Sequence, residues 1–231
     1  MFPEMPRPRT PEGKSKPESV TETELAAFIE KGDLEFLGGG FEARVVALKE
    51  HPDIALAYSF WNPSEDFDGL RAKTTFYIQR ILSTIFPHNF PKIYAAFGSE
   101  GEKIGEKTRG TVRQRIIPGK PEQIYIENTL DYALTQLQTM GIKDAYLFFD
   151  PNPKNLMVTE DGHEYFVDTP NTFPINKEGA SIRTVFAEAE NNILQWMKIH
   201  SYSMGNISIV KNSIGRLKSL DREAKKKEKD G

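Results

Sequence analysis

The chain is predicted to be an α+β protein of two lobes, the first rich in β-strand and the second reduced in size and mainly helical. Two observations predict this plan. Runs of β-branched and aromatic residues broken by Gly or Pro dominate before Pro118, whereas apolar residues at helical spacing dominate after it. A short crossing segment, Ile116 to Gly119, joins the two parts, and a cleft between lobes is where ligands usually bind. The expected division is a flexible arm over 1–19, a first lobe over 20–118, a second over 119–215 and a charged tail over 216–231.

The opening residues "MFPEMPRPRTPEGKSKPES" are nearly free of aliphatics and cannot offset the entropy of ordering. "TETELAAFIEKG" has a capping-box pattern and reads as a short helix ended by Gly32. "LEFLGGG", "EARVVALKE" and "DIALAYSF" read as three strands, separated by glycines and by His51-Pro52-Asp53. "RAKTTFYIQRILSTIF" is a helix with Phe76, Ile81, Leu82 and Ile85 on one face and Pro87 beyond its end. "KIYAAFGSE" and "GTVRQRIIPG" form a strand pair around a charged hairpin. In "IYIENTLDYALTQLQTMG" a helical stripe of Ile126, Leu130, Ala133, Leu134, Leu137 and Met140 ends at Gly141. "NLMVT" and "HEYFVD" pair across Glu160-Asp161-Gly162, where Asp-Gly is a favoured turn. A last long helix is expected over 180–200, with Ile182, Val185, Phe186, Ala189, Ile193 and Trp196 on its buried side. The terminal "KSLDREAKKKEKDG" could extend a helix before fraying.

Composition removes several function classes. There is no cysteine, so disulfides, thiolate nucleophiles and Cys-based zinc sites are excluded together, and the 4 histidines are scattered. A formal net charge of -3 gives no electrostatic reason to expect nucleic acid. No stretch approaches the roughly 20 apolar residues that span a bilayer, and the start lacks the apolar centre of a signal peptide. A cytoplasmic location without a membrane segment is expected.

The chemistry concentrates in "FFDPNPKNLMVTEDGHEYFVDT", residues 148–169. Asp150 and Asn155 are five apart in a segment stiffened by Pro151 and Pro153, and Asp168 follows at the end of the second hairpin strand. Because a hairpin returns the chain to its starting edge, Asp168 and Asn155 should lie close together, with Asp150 across the loop. Two carboxylates and an amide oxygen make a hard-oxygen site suited to Mg²⁺. The same local pattern fits equally a loop in which Asp150 and Asn155 hydrogen-bond the backbone and Asp168 caps a turn. The glycine-rich "FLGGGFEARVV" lies between strands rather than before a helix, which excludes the dinucleotide-binding and Walker-type phosphate loops. A glycine-rich hairpin can instead lie over phosphates.

With these stretches in view, residues 33–200 resemble the protein-kinase-like fold, including the small-molecule phosphotransferases that share it. The specific core of the resemblance is "DPNPKNLMV" followed by "VDT", where Asp150, Pro153, Asn155 and Asp168 stand at kinase spacing. "LGGGFEARV" looks like the nucleotide-covering loop, with Ala43 in place of its third glycine, and "RQRIIPG" resembles the hinge. The resemblance implies that Asp150 orients and deprotonates an acceptor hydroxyl, and that Asn155 and Asp168 hold Mg²⁺ against the phosphates of ATP. It further implies Leu37, Gly38, Gly40, Ala43 and Val45 above the nucleotide and Met157 beneath its adenine. The acceptor, a small molecule or a protein, is not specified by these residues.

The pattern also departs from the family. The third-strand Lys is replaced by Ala57 or Tyr58 in "DIALAYSF", and the helix Glu that should clamp it falls near Gln79. Both halves of the ion pair are absent together, which leaves no unpaired buried charge. Arg44 and Lys73 are candidates for a substitute cation. The His-Arg pair before the catalytic Asp is Phe148-Phe149, and the triplet at Asp168 reads Asp-Thr-Pro. The expectation is an atypical ATP- and Mg²⁺-dependent phosphotransferase; the alternative is a pseudokinase, a nucleotide-binding or scaffolding module without catalysis.

Overall fold

In the computed structural model, the structure describes residues 34–39, 43–49, 51–59, 70–97, 109–119, 129–142, 145–149, 155–168 and 181–230. The expected arm and the helix over 21–32 lie outside the described residues. Five strands, β1 (Leu34–Gly39), β2 (Ala43–Leu48), β3 (His51–Ser59), β4 (Ile93–Phe97) and β5 (Arg109–Gln114), form one sheet in the order β1-β2-β3-β5-β4. Every pairing in it is antiparallel. Helix α1 (Leu70–Ile85) is inserted between β3 and β4.

β3 is the central strand, and its residues Ile54, Ala55, Leu56 and Ala57 are all buried. Val46, Leu48, Ile54, Leu56 and Val112 pack together as a small core. Register partners share a face of a sheet, so Ala47, Ala55 and Arg113 line the opposite face together with Ala57 and Thr111. The expected break at His51-Pro52-Asp53 is absent, because β3 already begins at His51. Proline is tolerated at the start of a strand, where few ladder bonds are lost.

A second core is much larger. It gathers α1 with α2 (Thr129–Thr139), α3 (Ala145–Phe148), α4 (Ile182–Glu188), α5 (Glu190–Ile199) and α6 (Met204–Asp230), and with Phe166 of the hairpin made by β6 (Leu156–Val158) and β7 (Glu164–Phe166). The cores therefore do not follow chain order, since α1 is built into the helical body and packs chiefly against α6. The Tyr202 hydroxyl donates to the Ile85 carbonyl at 2.5 Å, and Arg183 Nη1 donates to Thr74 Oγ1 at 3.3 Å. Burial, with a smaller influence from Tyr132, pushes the Tyr202 hydroxyl up to about 12, so it stays a proton donor at neutral pH. On α1 the buried stripe is Ile78, Ile81, Leu82 and Ile85, while Phe76 is only half-buried, edge-on to Tyr77.

Helix ends follow local chemistry. α2 stops at Gly141 with φ +94, where Ile142 N donates to Leu137 O and Gly141 N to Gln138 O, both at 2.9 Å. This six-to-one and five-to-two pairing is the glycine cap that satisfies the last carbonyls. The helix expected over 180–200 is two helices, α4 and α5, meeting at Ala189. Ala189 N still donates to Val185 O and Ile193 N to Ala189 O, so the joint is a bend in a nearly continuous ladder. α6 runs unbroken through Arg216 and buries Leu217 and Leu220. None of the described helices is long and apolar enough to cross a membrane.

Phe90 links α1 to the hairpin. It is buried, with its ring 5.8 Å from that of Phe149 and 6.0 Å from that of Phe166. Replacing it by Ala leaves a cavity in this seam, and Phe90→Ala is expected to cost about 3–5 kcal/mol, read as a lower urea midpoint.

Asp221 of α6 accepts from Thr184 Oγ1 at 3.0 Å and pairs with Lys225 at 2.8 Å. Burial pushes its carboxyl up, but the hydrogen bonds from Lys225 and Thr184 and the charges of Lys225 and Arg183 together hold it below 3.8. A depressed folded-state pKa contributes stability that is present above the unfolded value and lost as pH falls through the folded one. Asp221→Asn should therefore be less stable than wild type at neutral pH, with the gap closing as pH falls below 3.8 in chemical denaturation at stepped pH.

Candidate functional site

The hairpin that carries the predicted site residues is short, three residues a side, with Leu156 opposite Phe166, Met157 opposite Tyr165 and Val158 opposite Glu164. Its turn is the expected one. Gly162 has φ +82, which only glycine adopts without strain, and Gly162 N donates to Thr159 O at 2.9 Å. Asp161 accepts from the Thr159 hydroxyl, and that bond, helped by smaller influences of His163 and the local backbone N–H groups, outweighs the opposing effect of burial and holds its carboxyl below the ordinary value.

At the open end of the hairpin, Val167 N donates to the Asn155 carbonyl at 2.8 Å. Asn155 and Asp168 thus flank the same mouth, both half-buried, as the hairpin argument expects. Met157 lies on β6 beside them, half-buried. Asp150 lies outside the described residues, as does Gly40. Leu37 and Gly38 lie on β1 and Val45 on β2, with Gly38 the register partner of Val45 and Val45 that of Ala57. The register slips between Phe36 and Gly38, so Leu37 is the extra residue of a bulge. It is 36% exposed, and Ala43 pairs with Ser59 one step nearer the loop.

Three contacts tie the sheet and its connections to this hairpin. Phe166 N donates to Asn89 O at 2.7 Å, Gly119 N donates to Val158 O at 2.8 Å, and Arg113 Nη1 of β5 donates to Val167 O at 2.5 Å. The last was not anticipated from sequence. Arg113 is 7% exposed, and burial lowers its pKa to about 10 while the charge of Asp168 works in the opposite direction. The guanidinium therefore remains a cation at neutral pH. A faint signal exists in "GTVRQR", where period-two alternation puts Thr111 and Arg113 on the face opposite Val112, but an arginine in a strand normally reads as a surface residue.

The expected substitutes for the third-strand lysine are placed less deeply. Arg44 is exposed and Lys73 half-buried, and each is a described residue of β2 or α1. Ala57 is 7% exposed and Gln79 is 5% exposed, so both of these neutral residues are buried. Among the described residues, Gln79 Oε1 and Thr111 Oγ1 are buried without a hydrogen-bond partner. A buried polar atom left unpaired is costly, which marks both as groups with unused bonding capacity. Among the described residues no group of three or more His, Asp or Glu side chains could by itself hold a metal ion. A metal here would need the amide oxygen of Asn155 beside the Asp168 carboxylate, with further oxygens from elsewhere.

No protein-family model matches the chain. No curated protein matches it. Among solved structures the chain is similar to a pseudokinase, drought responsive inactive kinase 1, in a co-crystal with ENMD-2076. The two share 14% sequence identity over 88% of this chain and 93% of that one, with a TM-score of 0.42.

Gly119 closes the crossing segment onto the hairpin. A Cβ there would stand 2.6 Å from Glu160 N and Cα and 2.8 Å from the Thr159 carbonyl carbon, all backbone atoms that cannot rotate away. Gly119→Ala is expected to destabilise by about 1–3 kcal/mol through overpacking. Chemical denaturation measures this, and an unchanged midpoint would show that the two segments separate freely.

Proposed function

We propose that the chain is an atypical kinase-like phosphotransferase that transfers the γ-phosphate of ATP to a hydroxyl, with Asn155 and Asp168 as its metal-binding pair. The observation that carries this reading is the convergence of Asn155 and Asp168 at the mouth of the β6–β7 hairpin, tied by Arg113 to a sheet ordered β1-β2-β3-β5-β4. An amide oxygen and a carboxylate are hard donors, and Mg²⁺ uses few protein ligands when phosphate oxygens supply the others, so the residues present fit that ion. Bound there, the ion would neutralise charge on the phosphates.

The chain's own residues have separate tasks in this reading. Asp150, placed by sequence spacing, orients the acceptor hydroxyl and takes its proton as the new oxygen–phosphorus bond forms. The bond between the γ-phosphorus and its bridging oxygen breaks, and ADP leaves with that electron pair. Gly38 and Val45 belong to the strand pair that would cover the nucleotide, and Met157 supports its adenine from β6. A second reading, a pseudokinase that binds nucleotide without turnover, is favoured by the buried neutral residues Ala57 and Gln79.

Thermal unfolding separates these readings. A ligand present at about 100 times its Kd adds ~2.7 kcal/mol to folded-state stability, and each 1 kcal/mol raises Tm by about 2–4 °C in a chain of this size. ATP with Mg²⁺ is expected to raise Tm by that route, and Asp168→Asn to remove the Mg²⁺-dependent part. Asp150→Asn should keep the shift and lower turnover by ~10²–10⁴-fold. A shift without wild-type turnover would favour the pseudokinase reading, and no shift with ATP, whether or not Mg²⁺ is present, would end both.

A further inference from the structure

If the site binds nucleotide, as the reading above holds, some cation must face its phosphates, and β3 does not supply one. The register makes Ala55 the partner of Arg113 and Ala57 the partner of Thr111. Arg113 therefore emerges on the same sheet face as Ala57 and one diagonal step from it. Ala47, Ala55 and Ala57 are 0%, 3% and 7% exposed, so Arg113 is the long side chain on a covered face otherwise lined by small residues. The guanidinium is fixed by its bond to Val167 O, the residue immediately before Asp168. On the same face, Thr111 is 3% exposed and its hydroxyl has no hydrogen-bond partner among the described residues. A structural strut needs no such neighbour, whereas a phosphate oxygen would accept from it.

We propose that Arg113 is the phosphate-facing cation of this site, supplied from β5 in place of a lysine on β3, and that the anion it takes is the polyphosphate of a nucleotide. A guanidinium carries five N–H donors in a planar fork, of which the Val167 carbonyl takes one. The fork can serve a carboxylate and a phosphate together, which an ammonium point charge does less well. Arg113 then does two things at once. It joins the sheet to the hairpin and sets the charge opposite Asp168.

Titration calorimetry of the full chain with ATP and with adenosine, each with Mg²⁺, tests this. Wild type should prefer ATP. Arg113→Met should weaken ATP binding by on the order of 10- to 100-fold, the range of a lost charged hydrogen bond, while adenosine binding stays close to wild type. Ala57→Lys combined with Arg113→Met should regain the preference, since it returns a cation to the same face. If Arg113→Met keeps the wild-type ratio of ATP to adenosine affinity, the inference is overturned and the nucleotide reading stands. If wild type binds neither compound, the nucleotide reading fails and takes the inference with it. Where Arg113→Met does not fold, wild type in EDTA decides: a retained preference for ATP supports a protein cation at the phosphates, and equal binding of the two compounds overturns it.

Discussion

Phe166 of β7 meets Phe90, in the α1–β4 connection, and Phe149, the residue before Asp150, in a mutual contact of three rings, with the Phe149 and Phe166 rings 5.5 Å apart. The site depends on this seam. A two-stranded ribbon of three residues a side has too few ladder bonds to be stable alone, so its position must come from side-chain packing. Three rings meeting at tilted and edge-on angles supply both burial and orientation. The bond from Phe166 N to Asn89 O then sets the height of the hairpin against the helix. Asn155 and Asp168 inherit their places from that arrangement, because they flank the ribbon.

The same seam explains why α1 sits with the helices. Its buried residues Ile78, Ile81, Leu82 and Ile85 join Phe86 and Phe90 in one continuous core that reaches α6. The sheet keeps a smaller core of Val46, Leu48, Ile54, Leu56 and Val112, and its other face offers alanines and Arg113. A buried cation in such a setting is tolerable only when hydrogen-bonded and matched by an opposite charge. The Val167 carbonyl and Asp168 meet those two requirements from a single short segment. The electrostatics of the sheet are thus completed by the hairpin, and those of the hairpin by the sheet.

Much of this was legible in the sequence where the signal is local. The β6–β7 hairpin follows from an Asp-Gly turn between two alternating runs, and the end of α2 follows from Gly141. Both depend on a residue whose backbone preference is strong enough to act alone. The neighbourhood of Asn155 and Asp168 was legible for the same reason, since a hairpin closes on itself. Features set by distant packing were not. Phe76 reads as a core residue by spacing, yet α1 turns Ile78 inward because α6 covers that side. α6 was legible only in part: the charged terminal run reads as a helix extension, while the stretch from Met204 to Leu217 was assigned to no element. Arg113 was missed because its meaning depends on Val167, 54 residues later, and no periodicity connects them.

The approach of Gly119 to the turn of the hairpin bears on how the molecule can move. A segment crossing between two parts of a chain is commonly the pivot about which they rotate. Here its last described residue is bonded to Val158 and fits against the backbone of Thr159 and Glu160 with no room for a methyl group. The crossing is a weld and not a swivel. β5 and the hairpin therefore travel as one piece, and the freedom left to the sheet lies at its far edge, in β1, where the bulge at Leu37 interrupts the register.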